Sequence, residues 1–243
     1  MGYCTVVGGK PDMVAPVPGI LASDLAVGSS VYLMENGVAT EYLVVNQGKP
    51  SGSSLYDASC DGTWLLRKDI KENRQWHSSN SNSYKDSAIH SYLNSTFLNL
   101  FDADIKAQIK SVKIPYVNGT GSSAVASGSS GLSAQIFLLS GYEVGFTQSV
   151  RPYFPIDGAK LDYFVRGNDS TAQAKRIANL NGSAAVWWLR SPRTDNDYSV
   201  FTVYVGGGPG ISYGSVICGI RPALVLPPNA RFDKETLILK GVS

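Results

Sequence analysis

The sequence has little of what usually carries chemistry or covalent stapling. Its 243 residues include three cysteines, Cys4, Cys60 and Cys218. No two of them form a Cys-x-x-Cys pair, so neither a zinc site nor a disulfide framework is indicated and the fold is expected to stand on its core. The two histidines, His77 and His90, have no Ser/His/Asp arrangement or metal-ligand spacing around them. No catalytic residue, metal or cofactor is therefore expected, and the chain reads as a non-enzyme. Charge of one sign is also lacking: 21 basic residues face 19 acidic ones, a formal net charge of +2. No Lys/Arg cluster is present to neutralise a row of phosphates, which argues against a nucleic-acid partner. No run of about 18 apolar residues exists to insert into a membrane. Met1 to Ile20 lacks the basic segment and apolar run of a secretory signal, so synthesis in a cytoplasm without a signal peptide is expected.

What is present suits one folded domain. Apolar residues make up 43% of the chain, and 25 residues are glycine, an ordinary composition for a sizeable core. Residues 1–28 hold Pro11, Pro16 and Pro18 and read as an extended arm, suited to attachment. Residues 29–243 are expected to form the domain. Val31 to Met34 and Glu41 to Val45 flank Asn36-Gly37, the strongest short-range hairpin signal because both turn residues tolerate positive φ. Trp64-Leu65-Leu66 gives a third strand. Ser87 opens a helix with Ile89, Tyr92, Leu93 and Phe97 on one face, and Asp102 caps a second from Ala103 to Lys110. Asn118 to Ser133, rich in Gly, Ser and Ala, reads as a mobile loop. Two helices set among many short, mainly antiparallel strands predict an α+β fold with a loop-rich second half.

Four motifs occur in order: the helix ending Tyr92-Leu93-Asn94, Ile136 to Gly145, Trp187-Trp188-Leu189-Arg190-Ser191-Pro192, and Gly219 to Leu226. Together they resemble a family of bacterial and prophage domains with a C-type-lectin-like fold, in its formylglycine-generating-enzyme-like branch. The resemblance covers roughly residues 30–228. It implies a C-type-lectin-like domain and likens the chain to the variable proteins of diversity-generating retroelements, the phage major tropism determinant among them. The enzymatic branch works through cysteine and copper, and here Cys218 stands alone near the last motif. Calcium-dependent sugar binding would require a Glu-Pro-Asn or Gln-Pro-Asp loop, and neither tripeptide occurs.

In such retroelements a segment near the C-terminus is rewritten mostly at AAC or AAT codons. Codons ending in C or T encode no Trp, Gln, Lys, Glu or Met, and Arg193 to Gly219 lacks all five. By compositional counting, roughly three windows of that length in a hundred would do so. The expected function is therefore a variable ligand- or receptor-binding protein displaying residues 193–219. Its partner would be a protein or glycan receptor on a bacterial cell surface, and its place a phage tail or a bacterial surface, with the N-terminal arm attaching it to a phage or surface assembly. The other reading is a structural domain with no dedicated ligand. The expected ligand contacts are Asp195, Asn196, Asp197, Tyr198, Ser199, Phe201, Thr202, Tyr204, Ile211, Ser212, Tyr213, Ser215 and Val216, a set with the Tyr/Ser/Asn flavour of binding loops. Trp187 and Trp188 are read as core, and Arg190 and Arg221 as paired, partly buried residues that pin loops by hydrogen-bonding carbonyls or carboxylates.

Overall fold

The Asn36-Gly37 turn forms as its residues require. Both have positive φ, 48° and 76°, and they join β1 (Ser30–Glu35) to β2 (Val38–Gln47) in register. Trp64 then lies on β3 (Thr63–Arg67), which pairs with β2. In this computed structural model the described residues are 19–50 and 54–241. Most of the expected arm, residues 1–18, and Cys4 lie outside them. From residue 19 the chain is packed: Ile20–Leu21 pairs with Arg231–Phe232, and Ala22 is fully buried.

Seven further strands complete two five-stranded sheets. They are β4 (Glu72–Gln75), β5 (Ile136–Phe137), β6 (Trp187–Pro192), β7 (Ser199–Val203), β8 (Pro209–Tyr213), β9 (Ile217–Ile220) and β10 (Ala223–Leu226). The first sheet runs β5-β10-β3-β2-β1 and the second β8-β7-β6-β9-β4. One continuous core joins them and includes Trp64, Trp76, Trp187 and Trp188, all fully buried.

This architecture corrects the expected α+β, C-type-lectin-like fold. The chain is β-rich, about 15% helical, with three short α-helices among the described residues: α1 (Ala88–Tyr92), α2 (Ala103–Gln108) and α3 (Ser170–Ala174). Ser87 caps α1 by accepting from the His90 N–H, and Ile89, Leu93 and Phe97 are buried as their spacing predicts. The helix is short because it passes into a π turn at Leu93–Phe97 and a 3-10 turn at Leu98–Leu100. In that π turn the Asn94 side chain accepts from the Gln135 and Ile136 N–H groups and donates to the Ile136 carbonyl. The helix is thereby tied to the edge of the first sheet. Asp102 precedes α2 without a side-chain cap bond. The segment expected to be a mobile loop, 118–133, is instead folded back: Val125–Ala126 pairs with Tyr116–Val117, and Leu132–Ala134 with Val112–Ile114.

A buried ionic knot holds two of the sequence motifs together and sets the direction in which the chain leaves β6. Arg190 makes a two-pronged pair with Glu143, both contacts 2.6 Å and both side chains fully buried. Its guanidinium also donates to the carbonyls of Pro115, Leu138 and Asp157 at 2.9–3.1 Å. Tyr56 donates to Glu143 at 2.7 Å, and Ser191 to Asp157 at 2.8 Å. Arg221 donates to the Arg67 carbonyl and lies over the Trp187 ring, its centroid 5.1 Å away. Both arginines thus pin backbone, as their positions beside apolar runs predict.

Asp157 is fully buried, and its Oδ1 has no hydrogen-bond partner among the described residues. Burial pushes its carboxyl up to about 7, against the opposing pull of the Arg190 charge. In the unfolded chain an aspartate titrates near 3.9, as a typical figure of about that size. The folded state therefore holds a proton that the unfolded state releases, and stability falls as pH rises from about 4 to about 7. Melting temperatures measured between pH 4 and 8 are expected to show this decline, and Asp157→Asn is expected to flatten it. An unchanged slope in that variant would assign the pH dependence to another group.

Candidate functional site

The chain enters the candidate site at Arg193, just past β6, and two asparagines shape the loop that follows. Asn82 is fully buried, and its amide nitrogen lies 2.9–3.2 Å from the carbonyls of Arg193, Asn196 and Ser199. Its carbonyl oxygen accepts from the Thr120 N–H. Asn196 Oδ1 accepts from the N–H groups of Tyr198 and Ser199, a local turn of the kind short amide side chains favour. Asp195 forms a two-pronged ion pair with Arg193. The loop is therefore held from within, and Tyr198 is turned outward.

Beyond it, β7 and β8 form a hairpin closed by Gly206 to Gly208. Gly207 has φ +81°, and a side chain there would collide with the Gln173 carbonyl at the end of α3. Arg176, fully buried, donates to the Gly207 carbonyl at 2.7 Å and to those of Val144 and Gly167. Burial lowers its pKa to about 10. The hairpin tip is thereby anchored, and β8 lies at the outer edge of its sheet.

The expected contact residues divide among three grooves, apart from Ser215 and Phe201. Asp195, Asn196, Tyr198, Ser199, Ile211, Ser212, Tyr213 and Val216 line one groove of about 510 Å³ together with Arg193, within the usual size range for ligand sites. Tyr198 and Tyr213 stand side by side over it, ring centroids 5.5 Å apart. Thr202 and Tyr204 belong to an adjoining groove of about 530 Å³ that shares Ile211, Ser212 and Val216. Asp197 lines a third groove with Tyr198. Ser215 is exposed, and its hydroxyl and N–H both bond Asn80.

Phe201 is a correction. It is fully buried and stacks on Phe154, with centroids 3.6 Å apart, so it cannot meet a ligand. Alternation along β7 predicts one buried and one outward face. Instead all five residues from Ser199 to Val203 are buried. The strand lies inside its sheet between β8 and β6, and both faces are covered. Ser199 and Thr202, also buried, border the grooves from below rather than presenting a surface.

The sequence reading missed Arg151, Tyr153 and Arg193, which line a further groove of about 240 Å³ with Pro152 and Ile211. Arg193 lies over the Tyr153 ring at 5.2 Å. Arg193 sits at the edge of the window singled out in the sequence. Arg151 and Tyr153 lie about 40 positions earlier, where no local pattern separates them from an ordinary loop.

Cys60 and Cys218 are buried free thiols. Burial pushes Cys60 up to about 11 and raises Cys218 as well, which keeps both as thiols rather than nucleophilic thiolates. Among the described residues no group of three His, Cys, Asp or Glu side chains is placed to hold a metal ion.

Residues 61–228, more than half of the chain, match the model of a family described as a domain of unknown function (DUF6273). No curated protein and no solved structure matches the chain.

Proposed function

We propose, for a chain that belongs to the DUF6273 family of domains, a binding module whose diversified surface lies between Arg193 and Gly219 and engages a macromolecular receptor. One observation carries this reading. Most residues of that window that escape the core line adjoining grooves, around which Tyr198, Tyr204 and Tyr213 are exposed. Tyrosine offers a large, amphipathic contact area with few rotatable bonds, which suits a surface that must accept different partners on one scaffold. The buried thiols are consistent with binding rather than chemistry. We take the receptor to be a protein or glycan of a bacterial cell surface, the context to be a phage or prophage, and the diversity to come from a retroelement.

Tyr198→Ala, Tyr204→Ala and Tyr213→Ala, combined in one variant, are expected to leave the circular dichroism spectrum unchanged. Binding to a panel of intact bacterial cells and envelope extracts should fall about tenfold or more, ~1.4 kcal/mol. Undiminished binding by the folded variant, or no binding by the original protein to any member of the panel, would sink this reading. A near-copy of the coding segment for residues 193–219, beside a reverse-transcriptase gene, is expected at the locus, and its absence would remove the retroelement.

A further inference from the structure

The geometry points to the mode of binding: we propose that the free edge of β8 receives an extended polypeptide segment as an added strand, with Arg151 selecting an acidic side chain on it. This rests on the preceding reading that the 193–219 surface binds a partner, and it names the partner's chemistry.

β8 pairs with β7 at Val203↔Pro209, Thr202↔Gly210, Phe201↔Ile211, Val200↔Ser212 and Ser199↔Tyr213. At the two ends of this ladder, the Tyr204 N–H donates to Gly208 at 2.8 Å and the Gly214 N–H to Tyr198 at 2.9 Å. Hydrogen-bonded and non-bonded pairs alternate along an antiparallel ladder. Gly210 and Ser212 therefore bond inward to β7, while Pro209, Ile211 and Tyr213 turn their main-chain groups to the outer edge. Pro209 agrees with this assignment, since a strand tolerates proline where the missing N–H would face away from the ladder. The Tyr213 carbonyl accepts from the Val216 N–H. The Pro209 carbonyl, both groups of Ile211 and the Tyr213 N–H meet no partner among the described residues. They form a short row of acceptor, donor, acceptor and donor along one line.

Three grooves meet at Ile211, in the middle of that row, and together make a slot. Arg151 and Ile211 both line the two grooves of about 240 and 530 Å³, and Ile211 also lines the tyrosine groove, so the three spaces adjoin along the strand. Five residues of strand span about 17 Å at ~3.4 Å each, enough for a segment of similar length. Strand addition gives affinity through the main chain and specificity through alternate side chains. Tyr153 and Tyr204, both exposed, stand along the slot to meet them. Charge points to the same occupant. Arg193 is engaged by Asp195, whereas the Arg151 guanidinium, exposed in the slot, has no ionic or hydrogen-bond partner among the described residues. A carboxylate on the incoming segment would complement it. A glycan would use the tyrosine ring faces and has no matching linear row of amides. The edge is short and begins with proline, features that limit pairing between copies of the chain.

The probe is a library of random heptapeptides displayed on filamentous phage, panned against the full chain with the Arg151→Glu variant as counter-bait. Recovered sequences are expected to carry an acidic residue. As synthetic peptides they should lose about tenfold in affinity for Arg151→Glu. Methylating one alternate set of peptide nitrogens, but not the other, should abolish binding. In the complex, hydrogen exchange of the Ile211 and Tyr213 amides should slow at least about tenfold. Recovery of no sequence above the counter-bait, or binding that survives either methylation and leaves those amides unprotected, overturns the proposal. So does binding of an oligosaccharide that Tyr213→Ala removes while both amides exchange at their free rates. That last result would leave the tyrosine surface standing as the binding site and remove only strand addition.

Discussion

Arg190→Ala is expected to cost about 3 to 5 kcal/mol of folding stability, the range for removing one partner of a buried ion pair. The loss has two sources. Glu143 would remain buried and charged, with only Tyr56 and the Ser140 N–H to hold it. The carbonyls of Pro115, Leu138 and Asp157 would lose the donor that satisfies them, and an unpaired buried polar group costs about 1 to 3 kcal/mol. The second source predicts how a compensating change behaves. An Arg190→Met, Glu143→Leu double variant removes the stranded charge but not the stranded carbonyls, so it should recover only part of the loss. Urea denaturation midpoints of the three proteins measure this. Full recovery would show that the carbonyls find other partners and that the knot matters only as a pair of charges.

Phe201→Ala is expected to cost about 3 to 5 kcal/mol, the range for truncating a buried aromatic side chain, whereas Tyr213→Ala should stay within about 0.5 kcal/mol, as surface changes do. The two positions belong to one hairpin, on consecutive strands that pair in the sheet. Phe201 is fully buried on Phe154, and Tyr213 is 56% exposed. Thermal or urea unfolding of both variants tests whether the window from 193 to 219 is a scaffold carrying a display rather than a display throughout. Equal losses at the two positions would mean that Tyr213 is framework and that the tyrosine surface is set by packing rather than free for a partner. The contrast also restricts any diversification: substitutions in Ser199 to Val203 meet the core on both faces, so tolerated variety belongs to Asp195, Asp197, Tyr198, Tyr204, Tyr213, Ser215 and Val216, all exposed.

The local features were legible because their causes are local. Asn36-Gly37 makes its turn from two residues that accept positive φ, and Ser87 caps α1 through its own hydroxyl. Trp187, Trp188, Arg190 and Arg221 are buried in or beside apolar runs. The position of the window, between two framework motifs, also placed most of the tyrosine groove. What the sequence could not decide depends on partners far along the chain. The helical share was overestimated because the periodicity of Ile89, Leu93 and Phe97 is satisfied equally by a short α-helix running into a π turn, and the Asn94 contacts to residues 135 and 136 settle which forms. Phe201 was counted among the contacts as an aromatic at the start of its strand, and alternation specifies two faces but not how many of them are covered. That was decided by Phe154, 47 positions earlier, on one side, and by the strands that β7 joins. Arg151 and Tyr153 reached the site for the same reason: a groove is a property of surfaces brought together, and neither its far wall nor the free edge of β8 exists until the chain has closed on itself.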